Sequence, residues 1–182
     1  MSLMGIRDLS LVNTPPADRR AIRTRLLQVN DYIIQESVSR EIRRGGQVFV
    51  VHNRVETIYE YGRYLESILP NIRIAIAHGQ MREQHLEKVM LDYIEGRFDI
   101  LLSTTIIESG LDIPRANTII INNAQIFGLS QLYQLRGRVG RSDVQAYAYL
   151  LVPAEKILSG VAHERFHVLE DLIDLGAGFK VA

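Results

Sequence analysis

The chain has 182 residues, with 21 Lys plus Arg against 21 Asp plus Glu and no Cys. One domain of this length can bury a substantial core, while the missing thiols exclude a disulfide framework and any thiolate metal site, as expected in a reducing cytosol. A polypeptide that holds duplex nucleic acid by bulk electrostatics alone is usually basic, so zero formal charge argues for a weak or shared grip, and no apolar run nears the roughly 18 residues of a membrane span.

Nothing at the amino terminus resembles a signal peptide, so a cytoplasmic location is expected. Residues 1–18, with Pro15-Pro16, read as an arm or connector. From 19 to 153 the pattern switches between short apolar runs and helical spacing, the mark of βα units around a mainly parallel sheet. Strands are expected at 21–28, 47–52, 72–77, 99–103, 117–122 and 145–152. In 31–44, Ile33, Ile34, Val38 and Ile42 share one face, and Gly45-Gly46 ends the helix. In 54–69, Ile58, Tyr61, Leu65 and Ile68 recur at helical spacing before Pro70. Leu86, Val89, Met90 and Tyr93 do the same between Arg82 and Glu95, with Gly96 as terminator. The remainder, 154–182, reads as a helix to about Leu175, broken by Gly176-Ala177-Gly178.

Two segments carry the chemistry. Gln131-Leu132-Tyr133-Gln134-Leu135-Arg136-Gly137-Arg138-Val139-Gly140-Arg141 spaces three arginines along a short stretch whose two glycines permit close backbone approach. Guanidinium is planar, always charged and donates in a fork, so such a segment suits phosphoryl oxygens; a solvated basic turn is the plain alternative. Residues 100–114 run from an apolar strand into Ser103-Thr104-Thr105 and on to Gly110, Asp112 and Pro114. Together these stretches resemble motifs V and VI of superfamily 2 helicases and translocases. With His78-Gly79-Gln80-Met81, Thr104-Thr105-Ile106-Ile107-Glu108 and Leu175-Gly176-Ala177-Gly178-Phe179, the chain is most similar to the bacterial transcription-repair coupling factors, and next to the branch-migrating helicases of stalled forks.

The resemblance implies a RecA-like three-layer αβα lobe, the second of two in a motor that uses ATP and Mg²⁺ to move on double-stranded DNA. In this family the parent protein pushes stalled RNA polymerase and recruits excision-repair proteins through other domains. No Gly-x-x-x-x-Gly-Lys-Ser/Thr occurs here and no Asp-Glu pair ends a strand, so the cradle for the β- and γ-phosphates and the Mg²⁺ ligands are expected on the first lobe. By the family pattern Arg138 and Arg141 are the arginine fingers. Gly110, Asp112 and Gln134 are expected to approach the nucleotide, although Asp112-Ile113-Pro114 also reads as a plain turn. DNA contacts are expected at the carboxyl ends of strands, from His52 and Asn53, from His78, Gly79 and Arg82, and from Thr104 and Thr105. His78-Gly79 equally reads as a tight turn.

His163-Glu164-Arg165-Phe166-His167 satisfies the zinc-protease pattern His-Glu-x-x-His. Ala162, Phe166, Leu169 and Ile173 form the apolar stripe of this stretch, which puts His163 and His167 on its polar face. Since a catalytic zinc needs a third protein ligand in an enclosed site, no metal site is expected. A non-catalytic α/β binding module is the rival class; as a Rossmann domain it lacks Gly-x-Gly-x-x-Gly after the first strand, and as a degenerate helicase lobe it would have damaged arginines.

Overall fold

The computed structural model describes residues 22–105, 115–140 and 142–154. The expected arm, the carboxyl-terminal helix from residue 155 onward, Gly110, Asp112, Arg141, His163 and His167 lie outside these. The chain forms β1 (Arg23–Gln28), α1 (Asp31–Arg43), β2 (Gln47–Val51), α2 (Val55–Ile68), β3 (Ile74–Ala77), α3 (Glu83–Ile94), β4 (Ile100–Ser103), β5 (Ala116–Asn122), a 3₁₀ turn (Ala124–Ile126), α4 (Leu129–Arg136) and β6 (Tyr147–Val152). All strand pairs are parallel, in the order β1-β6-β5-β2-β4-β3.

Parallel strands joined by helices need both faces covered, so central strands are apolar on both sides. Every residue of β2, β4 and β5 is buried. On one face Ile34 and Val38 of α1 and Ile58 and Leu65 of α2 pack on Val48, Val50, Leu102 and Ile120. On the other, Met90 and Tyr93 of α3 and Leu132 and Leu135 of α4 pack on Phe49, Leu101 and Ile119. The result is the expected three-layer sandwich. At the edge, β1 carries exposed Arg23 and Arg25, charges that discourage pairing with a further chain.

Helix ends follow the glycine signals. Gly45 at φ +79 and Gly46 close α1 by donating to Ile42 O and Glu41 O (3.0 Å each), the Schellman pattern. Gly96 at φ +82 closes α3 in the same way, with Gly96 donating to Tyr93 O and Arg97 to Asp92 O. The amino end of the sheet is clipped by Gln47, whose side-chain amide donates to Tyr93 O (2.6 Å) and Phe98 O (2.8 Å), and by the Tyr93 hydroxyl, which donates to Val48 O (2.9 Å).

The first part of the basic segment is the helix α4, which lies between β5 and β6. Gly128 donates to the Gln131 side chain at 3.0 Å, and Leu132 and Leu135 anchor one face in the core. Of its two glycines, Gly137 keeps ordinary helical geometry at φ −67. Gly140 does require glycine: its φ is +78, and a Cβ there would stand 3.0 Å from that of Ala146.

Candidate functional site

Because the sheet is wholly parallel, all strand carboxyl ends share one edge. Val51 stands level with Ser103 and Ile121, and Ala77 with Ser103. One step further along the chain, Asn122, His52, Thr104 and His78 therefore follow one another across β5, β2, β4 and β3. All four are buried. The apolar core thus gives way to a rung of polar groups where the strands finish, beside the start of α2.

His52 sits at the middle of the rung and is 6% exposed. Its Nδ1 lies 3.1 Å from Asn122 Nδ2 and its Nε2 lies 2.7 Å from Thr57 Oγ1. A neutral imidazole has one acceptor and one donor. Nδ1 accepting from the Asn122 amide and Nε2–H donating to Thr57 uses both. Burial, and secondarily the Arg54 charge, lowers the His52 pKa and favours this neutral form. The ring also stacks on Tyr61, with centroids 4.8 Å apart and planes 14° apart. Neither ring nitrogen of His52 is left for a ligand.

Other polar groups on the rung are open. His78 Nε2 meets the Tyr59 hydroxyl at 3.0 Å, and Tyr59 stands edge-on to the ring while half its surface faces solvent. Among the described residues, His78 Nδ1, Ser103 Oγ and Thr104 Oγ1 are buried and have no hydrogen-bond partner. A buried polar atom left this way costs about 1–3 kcal/mol, which is tolerated where a ligand or water supplies the missing bond. The first turns of α2 and α3 start at the same edge after Arg54 and Arg82, and neither receives a side-chain cap from that residue. Their first amide groups lie at this edge, with the fractional positive charge of a helix start. Gly79 and Arg82 are exposed, and Asn53 and Thr105 are half-buried, around this edge.

The basic segment occupies a different place. It belongs to the connection from the carboxyl end of β5 to the amino end of β6, on the α3 face. Gln134 is exposed on α4. The Arg136 guanidinium lies over the Tyr133 ring at 5.1 Å. Arg138 is half-buried just past the helix, its N–H donating to Leu135 O at 3.0 Å. The structure thus gathers His52, His78 and Thr104 on one rung and places Arg138 on the connection between β5 and β6. Three contributors were not anticipated: Asn122, Thr57 and Tyr59. Only Asn122 left a trace in sequence, as the first polar residue after Ile119-Ile120-Ile121.

Sheet order, the two helical layers and a polar rung at the strand ends define a helicase-type RecA-like lobe. Residues 28–143 match the helicase conserved C-terminal domain, and the chain belongs to that family. Within it, the chain is 53% identical over its whole 182 residues to the transcription-repair-coupling factor of Myxococcus xanthus and 52% identical to that of Staphylococcus haemolyticus. It covers 15% and 16% of those proteins, so it spans about a sixth of their length. Among solved structures, RecG bound to a three-way DNA junction matches 91% of this chain with a TM-score of 0.71 and 36% identity, over 23% of that chain. A DEAD-box protein of Methanococcus jannaschii matches 85% of this chain and 40% of its own with a TM-score of 0.63; at 18% identity this likeness concerns the fold alone.

Proposed function

We propose that the chain is the second motor lobe of an ATP-dependent double-stranded DNA translocase whose parent couples transcription to repair by displacing stalled RNA polymerase. The observation that carries the DNA part is the rung at the strand ends, where buried Thr104 and His78 each keep an open polar atom. Asn53, His78, Gly79, Arg82, Thr104 and Thr105 grip the phosphate backbone together with the amides of α2 and α3. Hydroxyls, amides and helix starts hold phosphate without reading sequence, as a motor on arbitrary DNA requires. His52 is the brace beneath that grip.

Arg138 and Arg141 complete an ATP site whose other half lies on the first lobe, with Gly110, Asp112 and Gln134 near the nucleotide. Bound there, ATP supplies the phosphoryl group whose transfer drives movement. The residues fit this supporting role: Arg138 projects from a connection anchored by buried Leu135 and Val139, and preorganised guanidinium stabilises charge on the transferring group. Mg²⁺ is held by the first lobe, because no Asp-Glu pair ends a strand in this sequence. RNA polymerase and excision-repair proteins are partners of other parts of the parent, in the cytoplasm. A second reading, the lobe of a fork-remodelling helicase, is favoured by the 36% identity to RecG; assays of polymerase displacement and fork regression with the full-length parent separate the two.

The direct test is Arg138→Ala and Arg141→Ala in the full-length parent. DNA-stimulated hydrolysis is expected to fall about a thousandfold or more, while ATP affinity changes much less, because an interaction made in the transition state is lost. Lysine replacements should rescue little, since a point charge lacks the fork. Near-normal hydrolysis by both alanine variants overturns the finger assignment.

A further inference from the structure

We infer that His52 is a positioning residue that ties the DNA-facing loop after β2 to the connection carrying Arg138, through its hydrogen bond to Asn122. The inference rests on the motor-lobe reading above and adds a coupling element to it. Three parts of the fold meet at this one ring. The loop His52-Asn53-Arg54 leads into α2, whose Thr57 and Tyr61 hold the ring by a 2.7 Å hydrogen bond and a stack at 4.8 Å. Asn122 ends β5 and holds the ring's other nitrogen at 3.1 Å. Directly after it, Asn123 turns the chain at φ +54 into the 3₁₀ turn and α4, beyond which lies Arg138.

Both ring nitrogens are engaged and the site is buried, so the ring has no slack. Displacing the loop or α2 on DNA must either break a buried hydrogen bond or carry Asn122 along. The first course leaves a polar atom without a partner inside the protein, which is unfavourable. The second moves the root of the connection that carries Arg138. Tyr59, two residues before Tyr61 on α2, contacts His78 as well, so the same helix touches the rung at two points. Contact at one end of the rung is thereby transmitted to the nucleotide side by a continuous set of packed and bonded groups, the physical requirement for coupling between sites.

The test uses the full-length parent with ATP and duplex DNA. His52→Phe keeps a ring on Tyr61 and removes both hydrogen bonds; His52→Gln keeps one amide bond and guards against failure of the first variant to fold. The readout is the ratio of DNA-stimulated to DNA-free turnover, which loss of active protein alone does not change. His52→Phe should lower that ratio about tenfold, within the range typical of coupling between sites, while the DNA concentration for half-stimulation shifts less than about threefold. His52→Gln should fall between it and the unaltered protein. Asn122→Leu should reproduce the loss, and the double variant should lose no more than either single one. An unchanged ratio, strictly multiplicative losses in the double variant, or a rise in the half-stimulating DNA concentration with the ratio preserved each overturn the inference. Arg138→Ala measured alongside tests the underlying reading: if it hydrolyses ATP normally, the role given to Arg138 in the ATP site fails, whereas a crippled Arg138→Ala with an unaffected His52→Phe defeats the coupling role alone.

Discussion

Burial of His52 sets a pH window for the stability of the lobe. Desolvation, with Arg54 adding to it, lowers the pKa of the folded-state ring, whereas in the unfolded chain it titrates near the ordinary value of about 6.5. Between the two values the unfolded state binds more protons, so stability falls as pH falls. The contribution is complete above about pH 6.5 and disappears as pH drops through the folded value. Urea midpoints of the purified chain should therefore be lower at pH 5.5 than at pH 7.5, and His52→Phe should lose less over the same interval. Equal losses would show that other groups, not this ring, control acid sensitivity. At this scale the sequence told which residues end strands. It could not tell which of them keep an open polar atom, since His52 and His78 are alike in sequence and both buried, yet one has both ring nitrogens bonded and the other keeps Nδ1 open.

Among the elements, α4 and the turn after it show how much a local segment depends on its surroundings. Its helix is short, eight residues, below the length at which isolated helices hold in water. Leu132 and Leu135 keep it by joining the buried cluster on the α3 face of the sheet, a contribution invisible to local periodicity. Gly140 has a second, sharper requirement. A side chain there would carry the cost of the left-handed conformation, about 1–2 kcal/mol, and would press on Ala146 Cβ and on Ile22 at 3.3 Å. Gly140→Ala is expected to destabilise the chain by about 1–3 kcal/mol in denaturant melts. In the parent it should also reduce ATP hydrolysis by shifting the arginine segment. Unchanged stability would mean that the turn relaxes freely and does not fix Arg138.

For the whole molecule, the balance of charge and the missing phosphate cradle set the expectations. Purified alone, the chain should release no phosphate from ATP with or without duplex DNA, because the groups that hold Mg²⁺ and the β-phosphate are absent from its sequence. Turnover near one per second that survives further purification would contradict the half-site assignment. Zero net charge and, on the proposed reading, only one of two gripping lobes imply a dissociation constant for duplex of about 10⁻⁴–10⁻⁶ M, indifferent to sequence and weakening with salt. Fluorescence anisotropy at two salt concentrations checks this, and tight, salt-resistant binding to one sequence would mark a specific reader instead.

Sequence by itself determined the alternation of strands and helices, their glycine-marked ends and the family, because periodicity, caps and motif residues act over a few neighbouring positions. Helices α1, α2 and α3 and all six strands lie within a few residues of their expected places. Tertiary structure alone decided the bounds of α4 and which polar groups at the strand ends are bonded, as at His52, and which stay open, as at Thr104. Those depend on which strands become neighbours in the order β1-β6-β5-β2-β4-β3. His52 and Asn122, separated by 70 positions, meet only because β5 lies beside β2, and that adjacency is fixed by packing two helical layers on one sheet.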